Sequence, residues 1–371
     1  MLPSLLPPAI AAAAAAAGVT RLADLTGLDV LGIPVWQAVR PWSLTVSVNQ
    51  GKSFDPAVAR IAAAMEAVEV AAAERVGPAV QRSCWSDLDP TCRSGAPDDF
   101  ARRRGGISAD RPIDWILGER IADGAPFFVP RDAVLLDFTE ESLDHDCVEV
   151  SSNGQGAHLS LEAATLKGLL EIVERDAMAD AILSDRNFWR MGRVSVETGV
   201  WSWFDAIADR VQAAGISLWL YEFKALAGAR VVACEMRDPA AFPSPRAIAR
   251  GVAAAMSVEQ ALRGAVAEAA QVRLTDIAFA REDLTGRVTG KGIETVPPYA
   301  FVTEPRLLEP EISPAPSTAG DQLTALVAGL ATAGYPDVVR VQLPTEADDV
   351  HAVRMFVPGL GSAQRARRPG P

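Results

Sequence analysis

The sequence predicts a mixed α and β fold of the α+β class, and three observations carry that reading. Residues 44–49 alternate apolar and polar side chains as a half-buried strand does, with Leu44, Val46 and Val48 on one face. Asp55-Pro56 opens a long alanine-rich stretch of helical character. Segments of these two kinds then interleave to the end of the chain without an internal repeat, which indicates both element types but does not fix a sheet order. The 371 residues are 49% hydrophobic and 22% charged, so one large or two modest domains with a substantial core are expected.

The elements follow in order. Pro7-Pro8 starts and Gly18 stops an apolar helix that contains the alanine run 11–17, within an N-terminal helical segment spanning 1–30. No basic residue precedes this apolar stretch and it is too short to span a bilayer, so neither a signal peptide nor a membrane anchor is expected and the chain reads as cytoplasmic. After the strand at 44–49, Gln50-Gly51-Lys52-Ser53 turns the chain, and the helix from Asp55-Pro56 runs to about 76. Residues 84–106 are polar and read as a loop insertion. Residues 113–118, 124–130 and 133–138 supply a strand pair, and 147–152 a further short strand, with 151–156 a tight polar connection. Helices follow at about 160–184 and 201–214, then a hairpin of 216–223 and 229–236 through Ala227-Gly228. Ser257 caps a helix over 257–280, with Glu259 in its first turn. A proline-rich surface loop at 297–316, a helix at 320–333, and strands at 338–343 and 350–357 complete the fold. Residues 361–371 form a disordered tail.

Charge and composition exclude several classes. A formal net charge of -12 argues against general nucleic-acid binding, and the one basic run, Arg365, Arg367 and Arg368, lies in the tail. Cys84, Cys92, Cys147 and Cys234 lack C-x-x-C spacing, which disfavours structural zinc and makes free thiols the expectation. His145, His158 and His351 are scattered and form no multi-histidine pattern.

Two glutamate pairs remain. Glu66 and Glu69, and Glu171 and Glu174, are each spaced by three within strongly apolar segments, so each pair projects from one helical face. A solvated, salt-bridged face has the same spacing. Carboxylates on largely apolar helices are costly to bury without a positive partner, and four oxygen donors from two helices suit a hard cation such as Mg2+, an ion commonly bound with substrate phosphates.

Several segments together resemble the YcaO family, whose members use ATP to activate peptide backbone amides. They are Arg40-Pro41, 47–52, 65–69, Ser152-Asn153-Gly154, 168–177, Ala261-Leu262, 268–274, 281–284 and Val357-Pro358-Gly359-Leu360, in an order that covers residues 18–360. The resemblance implies a YcaO-type mixed fold over 1–360, with several subdomains around a nucleotide and Mg2+ site. The opening stretch 18–35 is similar to the subgroup that works beside a TfuA-type partner and forms thioamides.

The resemblance further implies site roles. Glu66, Glu69, Glu171 and Glu174 would hold Mg2+ against the triphosphate of ATP. Glu174 and Arg175 would serve catalysis, with Arg175 and Lys52 meeting phosphate charge. Glu268 and Gln271, on one helical face, with Arg273 beyond them, would line the nucleotide or substrate side. Four positions that are polar in the family are Ala62, Leu159, Ala163 and Gly264 here, and Glu162 and Arg263, their neighbours, are the candidates for nucleotide contacts. The implied function is ATP-dependent phosphorylation of a backbone amide oxygen in a ribosomally made precursor peptide, giving a thioamide or otherwise an azoline or amidine. The alternative is a degenerate member that binds a precursor peptide or a partner without turnover. A precursor peptide, a TfuA-type protein, a separate leader-recognition protein and a homodimeric state are the partners implied.

Overall fold

The computed structural model of the chain describes residues 6–93, 100, 107–139, 148, 150–184, 192–238, 248–279, 281, 304–311 and 316–360. Helix α1 (Pro8–Ala16) leads into a three-stranded antiparallel sheet of β1 (Arg21–Asp24), β2 (Val35–Val39) and β3 (Val48–Lys52). Helix α2 (Pro56–Ala73) lies on this sheet, with Pro56 in its first turn and the Asp55 carboxylate accepting the Ala57 and Val58 amides. Next come β4 (Gln81–Ser83), β5 (Ile113–Arg120), β6 (Pro126–Pro130), the single turn α3 (Arg131–Val134) and β7 (Gln155–His158). Helix α4 (Leu161–Ser184) follows, with Ser160 Oγ accepting the Ala163 amide at its start.

The chain then builds a five-stranded sheet. Its strands are β8 (Arg193–Ser195), β9 (Ser217–Phe223), β10 (Arg230–Arg237), β11 (Ile248–Ala255) and β12 (Arg306–Leu307), in the order β11-β10-β9-β8-β12. Helix α5 (Ser202–Ala213) leads into β9, and α6 (Val258–Ala278) packs on β10 and β11. Helix α7 (Ala319–Thr332) packs on α4, and β13 (Val339–Leu343) and β14 (His351–Phe356) return to the earlier strands. They complete a six-stranded sheet in the order β4-β5-β13-β14-β7, with β6 on β5. Strand β7 is thus an edge, with α4 packed on β7 and β14 and α2 also reaching both strands.

Close helix–strand contact explains the alanine richness. A Cβ on Gly51 of β3 would stand 2.0 Å from the Ala63 amide nitrogen, and one on Gly156 of β7 would stand 2.1 Å from the Ala164 carbonyl oxygen. Both helices therefore lie backbone against backbone on their strands, which only small residues permit. That contact fixes where Glu66, Glu69, Glu171 and Glu174 project.

Most sequence expectations for the helices and the 217–237 hairpin hold, the hairpin turning through Ala227 and Gly228 at φ +58° and +76°. Five differ. The strand expected at 44–49 begins only at Val48, residues 44–47 forming none, and it runs on through 50–52, which are strand rather than turn because Gly51 serves the helix contact instead of a bend. Within 1–30 the helix ends at Ala16 and β1 follows, since Gly18 takes φ +84° and Thr20 joins β2 through the Val39 carbonyl. Arg131–Val134 is a helical turn, and the rest of 133–138 forms no strand. The strand expected at 147–152 lies partly outside the described residues; its described remainder is not strand, and pairing begins at Gln155. Within 84–106 the described residues are not a mere surface loop: Trp85, Leu88 and Phe100 are buried, and the Trp85 ring lies 5.7 Å from that of Trp115. Strand β11 was not foreseen, and the 361–371 tail, the 282–284 motif, Cys147, His145 and most of 297–316 lie outside the described residues. Cys84, Cys92 and Cys234 are free thiols.

Candidate nucleotide and cation site

Helices α2, α4 and α6 and strand β3 bring the predicted acidic and basic residues together. Glu69 and Glu174 are buried, while Glu66, Glu171 and Glu268 are partly so. Lys52, at the end of β3, places Nζ 3.5 Å from Glu268 Oε2 on α6. Arg175 spans the α4 pair, with Nη1 3.1 Å from Glu174 Oε1 and Nη2 3.4 Å from Glu171 Oε1. The Gly154 amide donates to Glu171 Oε2 at 3.1 Å. On the α2 side, Lys167 Nζ lies 2.5 Å from Glu69 Oε2.

Burial dominates the electrostatics. It raises the Glu174 carboxyl to about 8, opposed by Arg175 and reinforced by Glu268 and Glu171. Glu66 and Glu171 are raised for the same first reason, against the attraction of Lys52 and Arg175 respectively. Burial works against the Lys167 ammonium as well, but Glu69, Glu66 and Glu171 outweigh it and hold its pKa above the usual lysine value.

Three residues here were not singled out from the sequence. Arg354 on β14 is 3% exposed; burial lowers its pKa to about 10, although Glu171 and Glu69 pull the other way. Gln155 sits opposite it in the β7–β14 register and is 1% exposed. Among the described residues neither side-chain polar atom of Gln155 has a hydrogen-bond partner, nor do Arg354 Nε and Nη1; Arg354 Nη2 reaches Ser151 Oγ at 3.4 Å. Buried polar atoms left open in this way are uncommon in a finished protein interior. The third residue, Lys167, was legible: it stands one helical turn before Glu171 in a K-x-x-x-E-x-x-E array. Arg354 had a weaker signal, a lone arginine inside the otherwise apolar run 352–356.

Other predicted residues lie elsewhere. Glu162 accepts the Ser160 hydroxyl at 2.8 Å in the first turn of α4, and backbone and hydroxyl hydrogen bonds lower its pKa. It is nine residues, about 13 Å along the axis, from Glu171. Arg263 pairs with Glu259 at 3.1 Å and stacks 4.2 Å from the Trp203 ring centroid. Arg273 is engaged as a clamp, its Nε and Nη2 each 3.0 Å from the Asp29 carboxylate and its Nη1 3.2 Å from Asp238. Gln271 lies on α6 one turn before Thr275, whose hydroxyl lies 2.5 Å from Gln50 Oε1 and 2.7 Å from the Gln271 carbonyl, and among the described residues Gln271 Oε1 has no partner. Gly264 faces β11 at Ala253, where a Cβ would stand 2.5 Å from the Ala253 methyl.

Among the described residues no group of three or more His, Cys, Asp or Glu side chains is arranged to hold a metal ion, the acids being engaged by Lys167 and Arg175. The donor chemistry nevertheless fits a hard divalent cation: carboxylate oxygens from two helices, held partly buried, with proton affinities raised chiefly by that burial. Lys52, Lys167 and Arg175 beside them suit phosphate. No helix among the described residues is long and apolar enough to cross a membrane.

Comparison with known proteins agrees with this chemistry. The family model described as YcaO cyclodehydratase, ATP- and Mg2+-binding, matches residues 50–361. A protein from the tfuA 3′ region of Rhizobium leguminosarum bv. trifolii is 33% identical across 92% of this chain and 84% of its own length. The structure of YcaO from Methanopyrus kandleri bound with AMPPCP and Mg2+ superposes with a TM-score of 0.69 at 22% identity, covering 95% of this chain and 88% of that one. A heterocyclase solved in complex with substrate and cofactor gives a TM-score of 0.72 at 18% identity, covering 92% of this chain and 50% of that one. The chain belongs to the YcaO family, an ATP- and Mg2+-binding family of peptide-modifying enzymes.

Proposed function

We propose that this protein uses ATP and Mg2+ to convert a backbone amide of a ribosomally made precursor peptide to a thioamide. The observation that carries the reading is the convergence of Glu66, Glu69, Glu171 and Glu174 with Lys52, Lys167 and Arg175 in one partly buried cluster. An amide is a weak electrophile with a poor leaving oxygen. Hydrosulfide adds to the carbonyl carbon, and the oxyanion so formed attacks the γ-phosphorus, releasing ADP. The C–O bond then breaks, phosphate departs, the sulfur loses its proton and the C=S bond forms. Phosphoryl transfer of this kind needs charge neutralisation and alignment more than covalent help. The four carboxylates hold Mg2+ against the polyphosphate, Arg175 orients the α4 pair and faces phosphate charge, and Lys52 does so from β3. Glu268 and Gln271 line the side formed by α6. Sulfur as the nucleophile, and a TfuA-type protein as partner, are supported by the similar Rhizobium protein of the tfuA 3′ region and by the resemblance of residues 18–35. A heterocyclase bound to substrate and cofactor supports a peptide substrate.

The test is direct. The purified protein, a precursor peptide encoded beside its gene, sulfide, ATP and Mg2+ are combined, and the peptide is weighed by mass spectrometry. Replacement of one oxygen by sulfur, a gain of about 16 Da, is expected with stoichiometric ADP. Loss of water instead points to azoline formation. Absence of both peptide change and peptide-stimulated ADP release contradicts the enzyme reading. Glu171→Gln is expected to lower peptide-driven ADP release by about a thousandfold without loss of fold.

A further inference from the structure

Lys167 has a role that the reaction scheme above leaves open. It stands four residues before Glu171 and seven before Glu174, so all three share one face of α4. Its ammonium meets Glu69 Oε2 of α2 at 2.5 Å, which occupies one of its three N–H donors.

The cluster holds five acids, Glu66, Glu69, Glu171, Glu174 and Glu268, and four bases, Lys52, Lys167, Arg175 and Arg354. The bases differ in what they have left to offer. Arg354 is 3% exposed, and the Arg175 fork spans Glu171 and Glu174. Lys52 leans on Glu268. The Lys167 side chain is 52% exposed while that of Glu69 is only 10% exposed, so an accessible lysine stem ends in an ammonium fixed at a buried carboxylate. One turn nearer the start of α4 the same face carries only the methyl of Ala163.

We propose that Lys167, anchored by Glu69, contacts the polyphosphate of ATP, and that it does so across the face where Leu159 and Ala163 offer no polar group. The proposal rests on the ATP-dependent reading. A lysine held by a glutamate and aimed at nucleotide phosphates is an arrangement that protein kinases use on an unrelated fold. Were Lys167 only a counter-ion for Glu69, its removal would free a carboxylate for Mg2+ and leave nucleotide affinity unchanged or higher. As a phosphate ligand, its removal weakens nucleotide binding.

The experiment is calorimetric titration of the full chain with a non-hydrolysable ATP analogue and Mg2+, and separately with adenosine. Lys167→Met is expected to weaken analogue binding by about tenfold or more, the range of a hydrogen bond to a charged group, with adenosine affinity unaltered. Lys167→Arg, which keeps the charge and folds if the methionine variant does not, recovers most of the affinity. Circular dichroism melts confirm that each variant is folded. Unchanged or tighter analogue binding in a folded Lys167→Met protein overturns the proposal while leaving the ATP reading in place. Failure of the unmodified protein to bind the analogue with Mg2+ overturns both.

Discussion

Glu69 and Glu74 stand five residues apart on the α2 segment and live in opposite electrostatic worlds. Glu74 closes α2, and its carboxylate accepts Arg40 Nη2 at 2.5 Å, Arg40 Nη1 at 3.3 Å, Ser43 Oγ at 2.7 Å, the Leu44 amide at 3.1 Å and Thr45 Oγ1 at 3.1 Å. Arg40 spends its Nε on the Ala17 carbonyl at 2.8 Å, and the two side chains are 4% and 5% exposed. This buried ion pair is finished: both partners are satisfied by groups from α1, α2 and the 40–45 loop, and its work is to tie those segments together. Glu69, by contrast, has one lysine, half exposed, and belongs to a group in which Gln155, Gln271 and Arg354 keep open polar atoms and Glu174 holds its proton to about pH 8. A carboxylate surrounded by its own complement serves structure. A carboxylate set left short of positive charge and of donors serves something that arrives from outside.

The sharpest way to break the comparison is to open the closed pair. Glu74→Gln leaves Arg40 buried with a neutral partner, and a loss of about 3 kcal/mol of unfolding free energy is expected by denaturant titration. Glu174→Gln, made in the open set, is expected to leave stability at neutral pH nearly unchanged, because burial already keeps the Glu174 carboxyl protonated there and a neutral amide replaces a neutral acid. Equal destabilisation by the two substitutions would show that the regions are not different in kind.

A smaller effect follows from pH. The Glu174 carboxyl is raised in the folded state to about 8, with Glu66 and Glu171 raised in the same sense. Such groups favour the folded state fully below their ordinary unfolded value, and the advantage is lost as pH climbs through the folded value. The ligand-free protein should therefore melt at progressively lower temperature between pH 5 and about pH 8, and Glu174→Gln should flatten that slope. Cation binding at these acids displaces their protons, so divalent affinity should rise over the same interval. A melting temperature that climbs between pH 5 and pH 8 would contradict the assignment. The smallest effect is expected from Ser160→Ala, which removes the side-chain cap on α4 and should cost about 1 kcal/mol while changing nucleotide affinity little.

The legible part of this molecule was the part written in local rules. Proline and serine or aspartate signals located the helices, and the Ala227-Gly228 turn between two apolar runs located the 217–237 hairpin. The four glutamates were legible because charge in an alanine-rich helix has few inexpensive explanations. Glycine misled where its purpose was tertiary: Gly51 reads as a turn, yet it is a strand residue that lets α2 approach to backbone contact. Strand β11 was hidden because the small residues Gly251 and Ala253 fit it beneath α6 and erase the usual alternation. Arg354 and Gln155 could not be paired from sequence, since their proximity comes from β14 returning to β7 across about two hundred residues. Glu162 and Arg263 were named as neighbours of altered positions, and the structure places each of them with a local partner.

The central claim is that α2 and α4 jointly hold a divalent cation beneath a nucleoside triphosphate. A crystal grown with Mn2+ and a non-hydrolysable ATP analogue tests it most directly, because anomalous scattering locates the ion independently of the nucleotide. The account predicts an anomalous peak within coordination distance of oxygens from both the Glu66–Glu69 and the Glu171–Glu174 pairs, with the phosphates on its open side. Ion and nucleotide bound away from these four side chains, with Lys167 and Arg175 still pairing them as before, would contradict it.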